Sequence, residues 1–158
     1  MNKYIYLTLR HKWFVFVIGL KLKVPVWQLI KHDWTKFFLW KPYSNYFHGD
    51  KSMDYEFSQA WLYHQNHEPH HWEYWMPRTT HMAMNDKMTR PEPIEMPEKY
   101  VREMVADWMG ASKAYSSGGK YPDVDNWVWF EANKDRIYSN LHPKTIKLVG
   151  KILYELRN

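Results

Sequence analysis

The chain contains no cysteine, which excludes a disulfide framework, thiolate metal sites and a cysteine nucleophile. Any metal held here must sit on His, Asp or Glu, and a reducing cytoplasm is the compartment expected. Long apolar runs are missing too. The longest, Trp13 to Leu20, is closed by Lys21, Lys23 and Pro25 and falls short of the roughly 18–20 residues that a membrane span needs. The N-terminus lacks the small-residue cleavage site of a secretory leader, so neither export nor a membrane partner is expected. No phosphate loop of the Gly-x-x-x-x-Gly-Lys-Ser/Thr kind and no Gly-x-Ser-x-Gly elbow occurs. Acidic residues are scarce in one region: up to Asp50, eight Lys/Arg stand against two Asp. The net charge of +5 therefore belongs to the N-terminal third, and a basic face favours phosphate-bearing partners in general.

What is present fits one domain. The 158 residues are 45% apolar and 25% charged, both near the globular norm. Aromatics reach 18%, with ten Trp and twelve Tyr, and in a small domain they supply much of the buried area. Apolar periodicity predicts an all-α, single-domain bundle of five to six helices over 1–158, with no strand pattern and no internal repeat. Helices are expected over about 3–20, 25–38, 53–66, 97–115, 124–139 and 143–157, with Pro25 and Pro97 in first turns; the first is apolar on several sides and is expected to be central and buried. Ser116 to Gly119 would stop the fourth of these. The stretch 76–97, with four prolines and five methionines, reads as a long loop or lid.

Histidine is the less ordinary excess, since five of the nine lie between His64 and His81. The strongest local signal is His32-Asp33-Trp34-Thr35-Lys36. A neighbouring His and Asp offer an imidazole nitrogen and a carboxylate oxygen to a cation, and Lys36 lies one helical turn beyond Asp33. Such a set suits a substrate whose oxygens bridge metal and ammonium, as phosphate does. On the first helix His11 shares an apolar face with Leu7, Phe14, Val15 and Ile18. On the fourth, Asp107 lies with Tyr100, Met104 and Ala111, where an unpaired carboxylate costs several kcal/mol to bury. Three separate helices are thus expected each to turn a His or an Asp toward the core.

A second set of imidazoles comes from His64, His67, His70 and His71, with Glu68 and Glu73 beside them as candidates for orienting ligands or moving protons. Spacing alone leaves open which of these four, or His81, ligate. The Lys-rich last helix, with Lys144, Lys147 and Lys151, reads as solvated surface more readily than as a nucleic-acid patch. Trp72, Trp75, Trp127 and Trp129 read first as core and second as a platform for a base.

The order His11, His32-Asp33 with Lys36, His64, His70/His71 and Asp107 resembles the HD superfamily of metal-dependent phosphohydrolases. Leu29-Ile30-Lys31 before the pair and the lysine at Lys36 match its HD-x-x-K form, and Ala106-Asp107 is similar to its final ligand motif. The resemblance spans about residues 7–112. It implies a helical bundle with His11, His32, Asp33 and Asp107 around one divalent transition-metal ion (Mn, Fe, Zn, Ni or Co). His64 with His70 or His71 would hold a second. It further implies Lys36 as phosphate clamp and catalytic residue, with a small phosphorylated molecule, above all a nucleotide, as partner. The same ligand order is similar to the di-iron oxygenases of the HD group. The stretches His32–Phe37 and His70–Trp75 also resemble an uncharacterised family of small phage and bacterial proteins. A non-catalytic protein with a structural His/Asp metal site is the remaining expectation.

Overall fold

Two helices cross in the middle of the molecule, and their crossing sets everything around the histidines. The structure, a computed structural model, describes residues 2–50, 54–77, 92–115 and 119–157. The first helix, α1 (Lys3–Lys21), packs chiefly against α6 (Glu98–Tyr115). Between them in sequence come α2 (Val26–Lys31), α3 (Trp34–Phe38), α4 (Trp40–Phe47) and α5 (Asp54–His67). After α6 the chain forms α7 (Val128–Tyr138) and α8 (Pro143–Arg157), the latter lying on α6. Short 3-10 turns sit at Trp72–Trp75 and Val124–Asn126. The fold is an all-α bundle, with no strand among the described residues.

One apolar core gathers Val15, Ile18 and Leu29 with Val101, Val105 and Met109 of α6, Phe130 and Ile137 of α7, and Val149 and Ile152 of α8. A smaller one joins Tyr4, Tyr43 and Ala60. The approach of α1 to α6 depends on Gly110, where a Cβ would lie 2.9 Å from the backbone nitrogen of Val15. Gly110 is one turn beyond Asp107, and Val15 one turn beyond His11. Close contact of the helices at the core therefore holds these two side chains against each other.

Several expectations are corrected. The helix expected over 25–38 is two helices, because His32 is extended (φ −47°, ψ 130°) and Asp33 is left-handed (φ 59°, ψ 20°). In an unbroken helix adjacent side chains diverge by about 100°; the break lets His32 and Asp33 point to one place. Lys12 on α1 secures the break by donating from Nζ to the carbonyls of Ile30 and His32, which α2 leaves without helical partners. Pro42 lies inside the first turn of α4, where its missing N–H is spare. The helix expected from Val124 begins as a 3-10 turn and becomes α-helical at Val128. α1 is not buried all round: Leu9, Trp13 and Leu20 are exposed. Of the expected 76–97 loop, 78–91 lie outside the described residues, as do His81 and Ser116–Gly118.

Two glycine substitutions test this packing by equilibrium urea unfolding. Gly110→Ala forces α1 and α6 apart against backbone and is expected to cost about 1–3 kcal/mol. Gly150→Ala on α8, where a Cβ meets nothing within 4 Å, is expected to gain about 0.5–1 kcal/mol from helix propensity alone.

Candidate metal centre

α1, the break between α2 and α3, and α6 deliver the first ligand set. His11 Nε2 lies 2.9 Å from Asp107 Oδ1 and 3.2 Å from Asp33 Oδ2. His32 Nε2 lies 3.4 Å from Asp107 Oδ1, 3.6 Å from Asp33 Oδ2 and 3.5 Å from His11 Nε2. One atom from each of the four falls within 4.8 Å of the others, the spread of ligand atoms around a single ion. His11, His32 and Asp33 are buried, and Asp107 nearly so.

The second oxygen of Asp33 looks the other way. Oδ1 lies 3.4 Å from His64 Nε2 at the end of α5 and 3.8 Å from His70 Nε2. His71 Nε2 completes this set, 2.9 Å from His64 Nε2. Asp33 Oδ1 and His70 Nε2 are both buried without a hydrogen-bond partner. Buried polar atoms almost always find one, so two facing each other unsatisfied are placed to hold a cation. Burial, then the charge of Lys36, pushes the His64 imidazole far below its usual range; burial and then His70 push His71 down to about 3. Both rings are neutral, the form that ligates a metal.

Residues not singled out by the sequence reading aim these rings. Glu103, one turn before Asp107 on α6, accepts at Oε1 from His32 Nδ1 at 3.0 Å and stands 3.4 Å from His70 Nδ1. It thus holds one ring of each set with Nε2 toward the centre. Gln28 Nε2 donates to its other oxygen and to the carbonyl of Lys99. Burial opposes the charge on Glu103, but His70 and His32 bring its carboxyl down to about 2. Thr35 serves His64 alike. Its hydroxyl donates to Glu68 Oε1 at 2.9 Å, so its oxygen accepts from His64 Nδ1, leaving Nε2 free to ligate. Glu103 was visible as a second acidic residue on the apolar side of α6. Thr35 had no signal beyond standing inside the His-Asp-x-x-Lys run.

Lys36 donates from Nζ to Asp33 Oδ2 at 2.7 Å. Burial would raise the Asp33 carboxyl, but Lys36 and then His32 hold it well below the carboxylate range. His11 and His32 do the same for Asp107 against its burial. Burial also works against charge on His32, yet Asp33, Asp107 and Glu103 lift it to about 10. The proton on His32 thus balances charge that a divalent ion would balance better. Glu68 is engaged with Thr35, whereas Glu73, pushed up by burial, accepts from Gln65 Nε2 and stands 3.8 Å from His71 Nδ1. His67 is not brought in: it turns outward, stacks on Tyr63 and bonds that residue's carbonyl.

A cavity of about 840 Å³ opens onto the centre, with His71, Glu73 and Asp107 in its wall. Trp61, Trp72, Trp108, Trp127 and Trp129 line it, and Lys120 and Arg136 add positive charge. Trp75 packs on the core instead. On α8, Lys144 and Lys151 pair with Glu95 and Glu98, as a solvated surface would. No helix among the described residues is long and apolar enough to cross a membrane.

The chain belongs to a protein family of unknown function, DUF5662, whose model matches residues 1–155. No curated protein and no solved structure matches it.

Glu103→Gln keeps the side chain's shape but sets an amide N–H₂ against a donor, and is expected to weaken metal binding about 10–100-fold without unfolding the chain. Isothermal titration with Mn²⁺ or Zn²⁺ reads this. Because metal must displace the His32 proton, wild-type affinity is expected to climb with pH, roughly tenfold per unit for each proton released.

Proposed function

We propose that this protein is a metal-dependent phosphohydrolase of the HD kind, taking two divalent transition-metal ions and a small phosphorylated substrate, a nucleotide foremost. The observation that carries the reading is Asp33, whose two oxygens face two separate ligand sets, His11/His32/Asp107 and His64/His70/His71. A carboxylate so placed would serve both ligand sets, a donor arrangement that suits hydrolysis of phosphate esters by a pair of ions. When bound, such ions supply Lewis acidity toward phosphoryl oxygens and lower the pKa of water.

The chain's own groups supply the rest. Lys36 spends one of its three donors on Asp33 and keeps the others for a phosphoryl oxygen. Glu73, held toward its neutral form at the cavity wall, is placed to give a proton to the departing alcohol oxygen. Glu68 orients His64 through Thr35. The tryptophans of the cavity offer flat apolar faces on which a base can stack, and Lys120 and Arg136 favour an anionic ligand.

Elemental analysis of protein purified without a His-tag, beside Asp33→Ala, tests this reading. About two transition-metal ions per chain are expected in the wild type and fewer than about half an ion in the variant. Phosphate release from a panel of nucleoside monophosphates is expected only with the former. A pair of irons with oxygen-sensitive colour and no phosphate release would move the assignment to the di-iron oxygenase resemblance. A folded wild type that takes up none of Mn, Fe, Zn, Ni or Co would overturn both. Glu73→Gln is expected to lower kcat about a hundredfold or more at unchanged metal content.

A further inference from the structure

The side of the molecule built from α1 to α4 has an unusual surface. Leu9, Trp13 and Phe16 follow helical spacing along α1, and Ile30, Trp34 and Phe38 rise beside them around a groove of about 740 Å³. Trp13 is 62% exposed and Phe38 74%. Leu20 on α1 and Val26 and Trp27 on α2 are each about half exposed as well. Contiguous apolar surface on this scale marks an interaction site. A face assembled from three helices leaves no long apolar run in the sequence, which is why a search for membrane-spanning segments passes over it.

The charge on this side has one sign. From α1 to α4 the only carboxylate is Asp33, and it is wholly buried. Lys12 and Lys36 are turned to internal partners, on the Ile30 and His32 carbonyls and on Asp33. Lys3, Lys21, Lys31 and Lys41 are exposed, and no carboxylate pairs with any of them among the described residues. Lys31 lies over the Trp27 ring at 5.5 Å.

We propose that this face docks on an anionic lipid surface. Tryptophan rings beside lysines whose stems lie along apolar surface are the composition that settles at the boundary of headgroups and acyl chains. The unopposed cations fit anionic headgroups. Two copies of this chain meeting through the same face would set those cations against one another. The groove is poor in directional polar contacts for a protein partner, since its one charged side chain, Lys12, gives two of its three donors to carbonyls. The inference is independent of the metal chemistry, because its residues lie outside both ligand sets.

The full chain would be co-sedimented with vesicles of phosphatidylglycerol and phosphatidylcholine in equal parts, and with phosphatidylcholine alone. Capture is expected to be about tenfold or more tighter on the anionic vesicles, and to weaken as added salt shortens the screening length from about 10 Å toward 3 Å. The double variant Trp13→Ser/Phe38→Ser is expected to lose about tenfold or more of that affinity, with helicity and metal content unchanged. Absent capture, or equal capture by both vesicles, would overturn the proposal. A wild type that sediments as a dimer, made monomeric by the same double variant, would overturn it too and assign the face to self-association.

Discussion

A carboxylate without solvent must be neutralised by what surrounds it, and Asp33 is wholly buried between two groups of histidines. Most of the unusual features nearby answer to that requirement. The left-handed backbone at Asp33 frees its side chain from the helix direction; an aspartate tolerates this conformation better than most residues. Lys36 balances one oxygen from the outside, and His11 and His32 share it from within. The other oxygen faces the imidazole nitrogens of His64 and His70 and makes no hydrogen bond. An apolar replacement of the whole group would be cheaper for a protein that needed only a core. The arrangement makes physical sense as a receptor for positive charge.

The site is held by the same contacts that make the fold. His11 and Asp107 face each other because α1 and α6 cross at glycine distance one turn away. Glu103 joins the two ligand sets through a single oxygen, so a shift of α6 would disturb both. Lys12 ties the break between α2 and α3 to α1. Rigid, oriented ligands of this kind reduce the ordering that a bound ion would otherwise demand.

How much of this was legible in the sequence depended on the kind of signal. The helices at 3–21, 98–115 and 143–157 followed from apolar periodicity, and so did the inward direction of His11 and Asp107. The break at His32-Asp33 did not, since a left-handed aspartate leaves no mark in a pattern with good helix formers on both sides. His70 and His71 stood out by density, but so did His67, and only the end of α5 decides that it points away. Glu103 was passed over because an acidic residue in a helix ordinarily means surface, although it stands one turn before Asp107 on the same face. The exposed face of α1 was misread for the opposite reason: apolar residues all round predict burial, whereas here part of that surface meets no described neighbour.

The wall of the cavity has a further consequence. Trp61, Trp72, Trp108 and Trp129 stand around the opening that His71 and Asp107 share. Indole emission responds to the polarity and charge beside the ring, and a paramagnetic ion nearby extinguishes it. The molecule therefore carries its own optical gauge of occupancy. Whatever enters that opening will announce itself in the protein's fluorescence, with no label attached and before any product is known.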